Sequence, residues 1–232
     1  MDNDCIPDTV NGAKTIRELY EISNDVGGKY TTPVLWDKKN NCIVNNESSD
    51  IIRMFNTGFS KFHGVKESVD IYPSHLRSQI DEINEWIYHS INNGVYKCGF
   101  AQSQSAYDEA VDVLFKALDR LEKHLSENRY LVTSYEQGIT EADIRLIVTL
   151  LRFDAVYVVY FKTNVRRLAE YKNITGYTRE LYQLPYIKST TILDHIKQHY
   201  FCSHPSLNTY SIIPRGPDNA IEFNLKHNRD TI

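Results

Sequence analysis

Two stretches, Thr-Pro-Val-Leu-Trp at residues 32–36 and Val-Asn-Asn-Glu-Ser at residues 44–48, decide the fold of the first part of the chain. The first stretch and the Cys-Ile that leads into the second favour strands, and the polar residues between them are typical of a turn. The pattern therefore predicts a β-hairpin over residues 31–45. Apolar residues at helical spacing, closed by glycine, predict a helix on each side of the hairpin, over residues 13–22 and 49–56.

The same two stretches carry groups that suit an α-amino acid. A cis peptide bond before Pro33 would turn the N–H and C=O of Val34 outward, where they could pair with a peptide-like ligand as an extra strand. Glu47 and Ser48 would lie at a helix N-terminus, which attracts a carboxylate, while the Glu47 side chain could accept from an ammonium group. The alternative is purely structural, with Ser48 as an N-cap and Pro33 as a residue that blocks a strand edge.

From residue 74 onward the spacing of apolar residues predicts helices. A helix over residues 74–92 would begin with Ser74 as its N-cap. Between residues 103 and 127, one alanine and four leucines recur at helical spacing, which predicts a longer helix with one buried face. Pattern alone therefore predicts a small α/β part followed by an all-α domain.

A capping box marks the start of the next predicted helix. Thr140 and Asp143 have the spacing at which each side chain reaches the backbone N–H of the other. Residues 144–161 are apolar nearly all round, which favours a helix at the centre of a bundle. Shorter helices are predicted over residues 165–171, 175–184 and 190–199, before a tail from about residue 203 that is rich in proline, asparagine and glycine.

Composition and charge exclude several classes of protein. The 232 residues carry 26 Lys and Arg against 30 Asp and Glu, so no overall positive field would attract nucleic acid. The longest apolar runs are far shorter than the roughly 20 residues of a membrane span. The acidic start lacks the basic and apolar pattern of a secretory signal, which predicts a cytoplasmic protein with four free thiols.

One cluster near the end of the chain has the spacing of a metal site. His195 and His199 lie four residues apart on a predicted helix, and Cys202 and His204 follow. However, Ile196 occupies the position at which a zinc protease of the His-Glu type carries its general base. The resemblance described below accounts for the same stretch, so we expect no metal.

Five motifs occur in one order along the chain: Thr-Pro-Val-Leu-Trp-Asp-Lys-Lys, Ile-Val-Asn-Asn-Glu-Ser-Ser-Asp-Ile-Ile-Arg-Met, Gly-Val-Tyr-Lys-Cys-Gly-Phe-Ala, Thr-Glu-Ala-Asp-Ile-Arg-Leu and His-Ile-Lys-Gln-His-Tyr. With them the chain resembles the glutathionyl-hydroquinone reductases, the xi class of glutathione transferases, which are related to the omega class. The resemblance implies an α+β chain, with an incomplete thioredoxin-like domain followed by an all-α glutathione-transferase domain. The expected boundaries are a glutathione-binding part at 1–57, a linker at 58–73, a helical domain at 74–202 and an irregular tail at 203–232.

The resemblance also implies roles for particular residues. Glutathione, as substrate, would be held by Pro33 as the cis-proline, by the backbone of Val34 and, at its γ-glutamyl end, by Glu47 and Ser48.

The helical domain would bind the aromatic co-substrate, a quinol conjugate. Tyr157 and Tyr200 resemble the family's tyrosines that approach the quinol oxygen. Ordinary aromatic packing is the alternative for both tyrosines. A homodimer through the helical domain is a further expectation that comes from the family alone.

The family's nucleophile is expected to be missing from these 232 residues. Members carry a Cys-Pro-Trp-Ala motif well upstream of the cis-proline, so we expect this chain to be truncated at its N-terminus. Cys5 is the available substitute, but no helix follows it that would lower its pKa. Cys42 and Cys98 are expected to be small packed residues. Two functions stay open: glutathione-dependent reduction of glutathionyl-hydroquinones, or a non-catalytic glutathione-binding or protein-interaction paralogue or truncated gene product.

Overall fold

The computed structural model describes residues 6–25, 27–59, 69–132, 138–216 and 221–232. The chain divides into two compact units, the first ending at Asp70 and the second running from Ile71 to Ile232. The first unit contains strands and helices, and the described part of the second contains helices only. The order of a small α/β part followed by an all-α part is therefore as predicted. Residues 60–68, which form most of the predicted linker, lie outside the described residues.

Unit one is built around the predicted hairpin. Its elements are α1 (Ile16–Ile22), β1 (Leu35–Asp37), β2 (Cys42–Asn45) and α2 (Ser48–Gly58). The two strands pair antiparallel, with Leu35 opposite Asn45 and Asp37 opposite Cys42, which confirms the hairpin. The turn begins at Asp37, whose carboxylate accepts the backbone N–H groups of Lys39 and Asn40.

Helix α1 packs beside this ribbon, and a single tyrosine dominates the interior. Tyr20 is 1% exposed and Ile51 is 8% exposed, and these are the buried apolar residues in the described part of unit one. The end of α1 also binds β2 directly, because the Ile43 N–H donates to the Ser23 hydroxyl at 2.9 Å. Unit one therefore has a thin core supplemented by polar contacts.

Unit two is a bundle of helices around one apolar core. Its helices are α3 (Arg77–Ile87), α4 (Gly94–Gly99), α5 (Gln104–Glu127), α6 (Glu141–Arg152), α7 (Val158–Tyr160), α8 (Lys172–Gln183), α9 (Pro185–Thr190) and α10 (Leu193–Ser203). The predicted buried face of α5 is confirmed, since Leu114, Leu118 and Leu121 are fully buried. None of the helices in the described ranges combines the length and the apolar character that crossing a membrane would require.

Two helices differ from their predicted form because a widened turn interrupts each. Residues Tyr88–Asn92 continue α3 as a π-helical turn, and Phe153–Tyr157 do the same between α6 and α7. The predicted single helix over residues 144–161 was therefore wrong. All five residues of the second π-turn are buried, whereas a regular helix turns some side chains outward.

Three helix boundaries were also predicted wrongly. Helix α3 begins at Arg77 and not after Ser74, because the preceding residues form a turn in which the Leu76 N–H bonds the Pro73 carbonyl. The predicted helix at 165–171 is only the 3₁₀ turn Leu168–Glu170, and α10 starts later than residue 190 because its N-cap, Ile192, has extended backbone.

The capping box at the start of α6 is confirmed. The Thr140 N–H donates to the Asp143 carboxylate at 2.8 Å. Asp143 also accepts the Leu131 N–H and the Tyr177 hydroxyl, so it ties α6 to a loop and to α8.

The described part of the C-terminal segment, residues 204–216 and 221–232, contains one short 3₁₀ turn, Arg229–Thr231, and it packs on the bundle. Arg179 on α8 donates to the Ile221 carbonyl, and Gln183 donates to the Phe223 carbonyl. Arg229 is fully buried and donates to the carbonyls of Leu125 and Arg129 at the end of α5. The segment thus closes an open helix end of unit two.

Candidate functional site

Pro33 and Val34 lie at the entrance to the hairpin. The Thr32–Pro33 peptide bond is cis. Val34 directly precedes β1, and the strand ladder begins one residue later, at Leu35. Pro33 is exposed and Val34 is half-buried, so this end of the ribbon is accessible to a ligand.

Glu47 and Ser48 form the N-terminus of α2. Glu47 is the N-cap and its Oε1 accepts the Ser49 N–H at 3.2 Å, while Ser48 is the first helical residue. Both side chains are exposed. The Glu47 N–H donates to the Asn45 side chain at 2.6 Å, which holds the cap against the end of β2. The arrangement offers a carboxylate, a hydroxyl and the positive end of a helix dipole on one surface.

A hydrogen-bond network that sequence reasoning missed connects these two places. The Tyr20 hydroxyl donates to the Thr31 carbonyl at 2.8 Å and accepts from the Asn46 amide at 2.9 Å. Asn46 also donates to the Thr31 hydroxyl at 3.0 Å. Thr31 lies just before the cis bond and Asn46 lies just before Glu47. The network therefore fixes the spacing between Pro33 and Glu47. A tyrosine on the apolar face of α1 was the available signal, because a buried hydroxyl needs a partner.

In unit two, the predicted tyrosines come together with a third. The hydroxyls of Tyr157 and Tyr200 lie 2.8 Å apart, and those of Tyr96 and Tyr200 lie 2.5 Å apart. Tyr157 and Tyr200 are buried, while Tyr96 is 37% exposed. Sequence reasoning missed Tyr96, although it is the tyrosine of the Gly-Val-Tyr-Lys-Cys-Gly-Phe-Ala motif. We call Tyr96, Tyr157 and Tyr200 the tyrosine cluster.

Aromatic rings and one glycine shape the surroundings of the tyrosine cluster. The Phe161 ring stacks on Tyr157, with ring centres 5.3 Å apart, and contacts Tyr96 at 5.2 Å. Gly99 makes room for this ring, because a Cβ added at residue 99 would lie 2.1 Å from a Phe161 ring carbon. The close packing holds the three hydroxyls in a fixed order, with Tyr200 in the middle.

The hydroxyls of Tyr157 and Tyr200 stay protonated at neutral pH. Burial, reinforced by the charge of neighbouring tyrosines, raises the pKa of Tyr157 and of Tyr200 above the ordinary value of 10.0. The cluster can therefore donate hydrogen bonds to a ligand oxygen. Tyr96 and Tyr200 are the members that a ligand could reach, because Tyr96 is partly exposed and Tyr200 lines a cavity.

The cysteines differ in their suitability as nucleophiles. Burial raises the pKa of Cys98 to about 11, which keeps its sulfur in the thiol form at neutral pH. Cys98 is packed in the core, as expected, Cys42 is half-buried and Cys202 is exposed. Cys5 lies outside the described residues.

The described residues bring together one group of potential metal ligands, and it lies outside the stretch from His195 to His204, where we expected no metal. Glu180, His227 and Asp230 have ligand atoms within 4.8 Å of one another. Arg129 already pairs with Glu180 at 2.5 Å and with Asp230 at 3.1 Å. Because the positive charge of Arg129 competes with a cation for these carboxylates, we assign no metal to this group.

Comparison with known proteins extends these observations. The family model described as glutathione S-transferase, C-terminal domain, matches residues 104–180. The glutathionyl-hydroquinone reductase YqjG of Escherichia coli K12 is 50% identical over 211 residues, which cover 90% of this chain and 63% of YqjG. The chain thus spans somewhat less than two thirds of that relative.

Two solved structures have the same fold. The glutathione-bound structure of E. coli YqjG has a TM-score of 0.90 at 46% identity, covering 99% of this chain and 72% of YqjG. Glutathione transferase Xi 1 from Trametes versicolor has a TM-score of 0.87 at 49% identity, covering 93% of this chain and 74% of that protein. Together with the family model, they establish a glutathione transferase fold with a two-stranded thioredoxin-like part and a helical C-terminal domain.

Proposed function

Because the chain belongs to the glutathionyl-hydroquinone reductase family, the xi class of glutathione transferases, we propose that unit one binds glutathione. The Val34 backbone would pair with the cysteinyl part of the tripeptide, as an added strand does. Glu47 would accept from the γ-glutamyl ammonium group, and Ser48 with the α2 N-terminus would bind the γ-glutamyl carboxylate.

The observation that carries the proposal is the network around Tyr20. Glutathione is short, so the groups that hold its cysteinyl and γ-glutamyl parts must keep a set spacing. The Tyr20 hydroxyl bonds Thr31 and Asn46, the residues that lead into Pro33 and Glu47. A preorganised spacing of this kind lowers the entropic cost of binding.

We further propose that the tyrosine cluster of unit two binds the oxygen of a hydroquinone. Tyr96 and Tyr200 would meet the ligand, and Tyr200 would be oriented by its contacts with Tyr96 and Tyr157. Since burial raises the pKa of Tyr200, its proton stays available for a hydrogen bond.

The proposed reaction is the reductive removal of glutathione from a glutathionyl-hydroquinone. A thiolate attacks the glutathione sulfur, an S–S bond forms, the aromatic C–S bond breaks, and the ring carbon takes up a proton. A second glutathione thiolate then resolves the mixed disulfide. In sum, one conjugate and one glutathione give one hydroquinone and one glutathione disulfide, so electrons and atoms balance.

The thiolate decides between this activity and a non-catalytic role. Cys98 is unsuitable because its pKa is about 11. If no cysteine of the 232 residues serves, the alternative is a glutathione-binding or protein-interaction paralogue without turnover.

A turnover assay tests the activity. Glutathionyl-hydroquinone and glutathione are incubated with the protein, and released hydroquinone and glutathione disulfide are measured by chromatography. Release that Tyr200→Phe lowers about tenfold would support the proposal. Loss of release in Cys5→Ser would assign the thiolate. Glutathione binding without release would instead establish the alternative.

The intact mass of the protein made in cells completes this test. The 232 residues have a mass of 26.9 kDa. A larger mass, together with release that only the larger form performs, would assign the thiolate to a segment outside these residues.

A further inference from the structure

A cavity of about 390 Å³ opens in unit two, beside the tyrosine cluster. This volume lies within the range of small-molecule sites. Ile147 and Leu151 of α6 and Ile196 of α10 supply apolar wall. Tyr200, the central member of the tyrosine cluster, also lines the cavity.

The polar lining of the cavity includes one arginine and two histidines. Arg152 comes from the end of α6, and His195 and His199 come from α10. Among the described residues, those that line the cavity include no Asp or Glu. Partial burial and the positive charges of His204 and Arg152 lower the pKa of His199, as expected where the local potential is positive.

Arg152 has N–H donors that no described residue accepts. One of its nitrogens donates to the Val148 carbonyl on its own helix at 2.6 Å. Within the ranges that the structure describes, Arg152 makes no ion pair with a carboxylate. A guanidinium that is partly shielded and unpaired binds a carboxylate through two parallel hydrogen bonds.

His195 supplies a second sign that polar groups in this wall lack a partner. Its Nε2 is shielded from solvent and has no hydrogen-bond partner among the described residues. A shielded nitrogen of this kind has a cost that a hydrogen-bonding ligand can offset.

We propose that this cavity binds an aromatic carboxylate and that Arg152 makes the protein select acidic hydroquinones. The inference rests on the proposed function for the hydroquinone ring, which Tyr200 would meet. The preference for negative charge rests on the guanidinium of Arg152, which is permanently charged. The apolar wall contacts the ring, and the guanidinium donates hydrogen bonds to the carboxylate.

A matched pair of ligands isolates the charge. 2,5-Dihydroxybenzoate and 2,5-dihydroxybenzamide share the hydroquinone ring and differ in the charge of one substituent. Each is titrated into the full chain by isothermal calorimetry. We expect the carboxylate to bind about tenfold more tightly, as is typical for a charged hydrogen-bonded pair.

Three variants test whether Arg152 causes the preference for the carboxylate ligand. Arg152→Gln should remove it, and Arg152→Lys should retain part of it, because the charge stays while the fork geometry is lost. Lys116→Gln, which removes an exposed positive charge from α5 outside the cavity, should leave it unchanged. Circular dichroism checks that each variant is folded.

Equal affinity for the two ligands, or a preference that survives in Arg152→Gln, would overturn the inference. Glutathione binding is measured on the same samples. A carboxylate preference without glutathione binding would reject the proposed function and leave the charge selection standing, so the two failures are distinguishable.

Discussion

Glu47 shows how one side chain can serve both the fold and a ligand. Within the part of the chain that the structure describes, its side-chain contacts run through Oε1, which accepts from Ser48 and Ser49. Oε2 is left for an incoming ammonium group. A purely structural N-cap would need no second oxygen, since serine or threonine caps a helix equally well.

Cys98 is the residue whose chemistry the structure restricts most clearly. It is 2% exposed and its pKa is raised from 9.0 to about 11 by burial. Raising the pKa of a thiol lowers its thiolate fraction at every pH below that value, so Cys98 should react slowly with alkylating reagents.

We therefore predict that Cys98 resists iodoacetamide at pH 8 in the native protein, while Cys202 is modified. Peptide mass spectrometry after timed quenching measures both residues in one sample. Denaturant should make Cys98 as reactive as Cys202, which provides the control. Rapid native modification of Cys98 would contradict the account and would reopen Cys98 as a nucleophile.

At the scale of secondary structure, the hairpin, α5 and the start of α6 could be predicted because their signals are local. Strand-forming residues around a polar turn, leucines at helical spacing and the Thr140–Asp143 pair each depend on residues close in sequence. These three predictions therefore did not require knowledge of how the elements pack.

Other features could not be predicted because they depend on distant contacts. The π-turn at 153–157 keeps five consecutive residues buried, and periodicity alone reads such a run as a regular helix. Tyr96 joins Tyr200 over 104 positions in the chain, and Tyr20 reaches Asn46 over 26. Spacing along a sequence does not encode hydrogen bonds of this kind.

The link between α1, the hairpin and α2 gives a prediction for Tyr20→Phe. Losing the hydroxyl removes its hydrogen bonds with Thr31 and Asn46, which should lower the stability of unit one by about 1 kcal/mol. Glutathione affinity should fall about fivefold, because the spacing between Pro33 and Glu47 is no longer held.

Tyr30→Phe is the matched control for this prediction. Its hydroxyl has no hydrogen-bond partner among the described residues, and its ring packs edge-on against Tyr20 at 5.7 Å. Both variants are compared by urea unfolding and by calorimetric titration with glutathione. Equal behaviour of the two variants would show that the Tyr20 hydroxyl does not organise unit one.

At the scale of the whole molecule, the two units differ in how much apolar surface they bury. Tyr20 and Ile51 are the buried apolar residues in the described part of unit one, whereas unit two has a continuous core across α3, α5, α6 and α8. A two-stranded ribbon is marginal in water without further packing. Unit one should therefore open more often than unit two.

Limited proteolysis tests this difference. We predict that trypsin cleaves first within residues 14–57, where Lys29, Lys38 and Lys39 lie in or beside turns. Residues 74–200 should persist as a resistant fragment. Mass spectrometry of early time points identifies the first cut, and a first cut inside the helical bundle would contradict the predicted order. Glutathione should slow the cleavage of unit one if it binds there.

Titration of the full chain with glutathione is the most direct test of the central claim, which is that unit one holds the γ-glutamyl end through Glu47 and Ser48. We predict one-to-one binding that Glu47→Gln weakens about tenfold, since the charged acceptor is lost while the cap is kept. Glu82→Gln, an exposed glutamate on α3, should bind like the unmodified protein. Absence of binding, or equal affinity in Glu47→Gln and Glu82→Gln, would contradict the account.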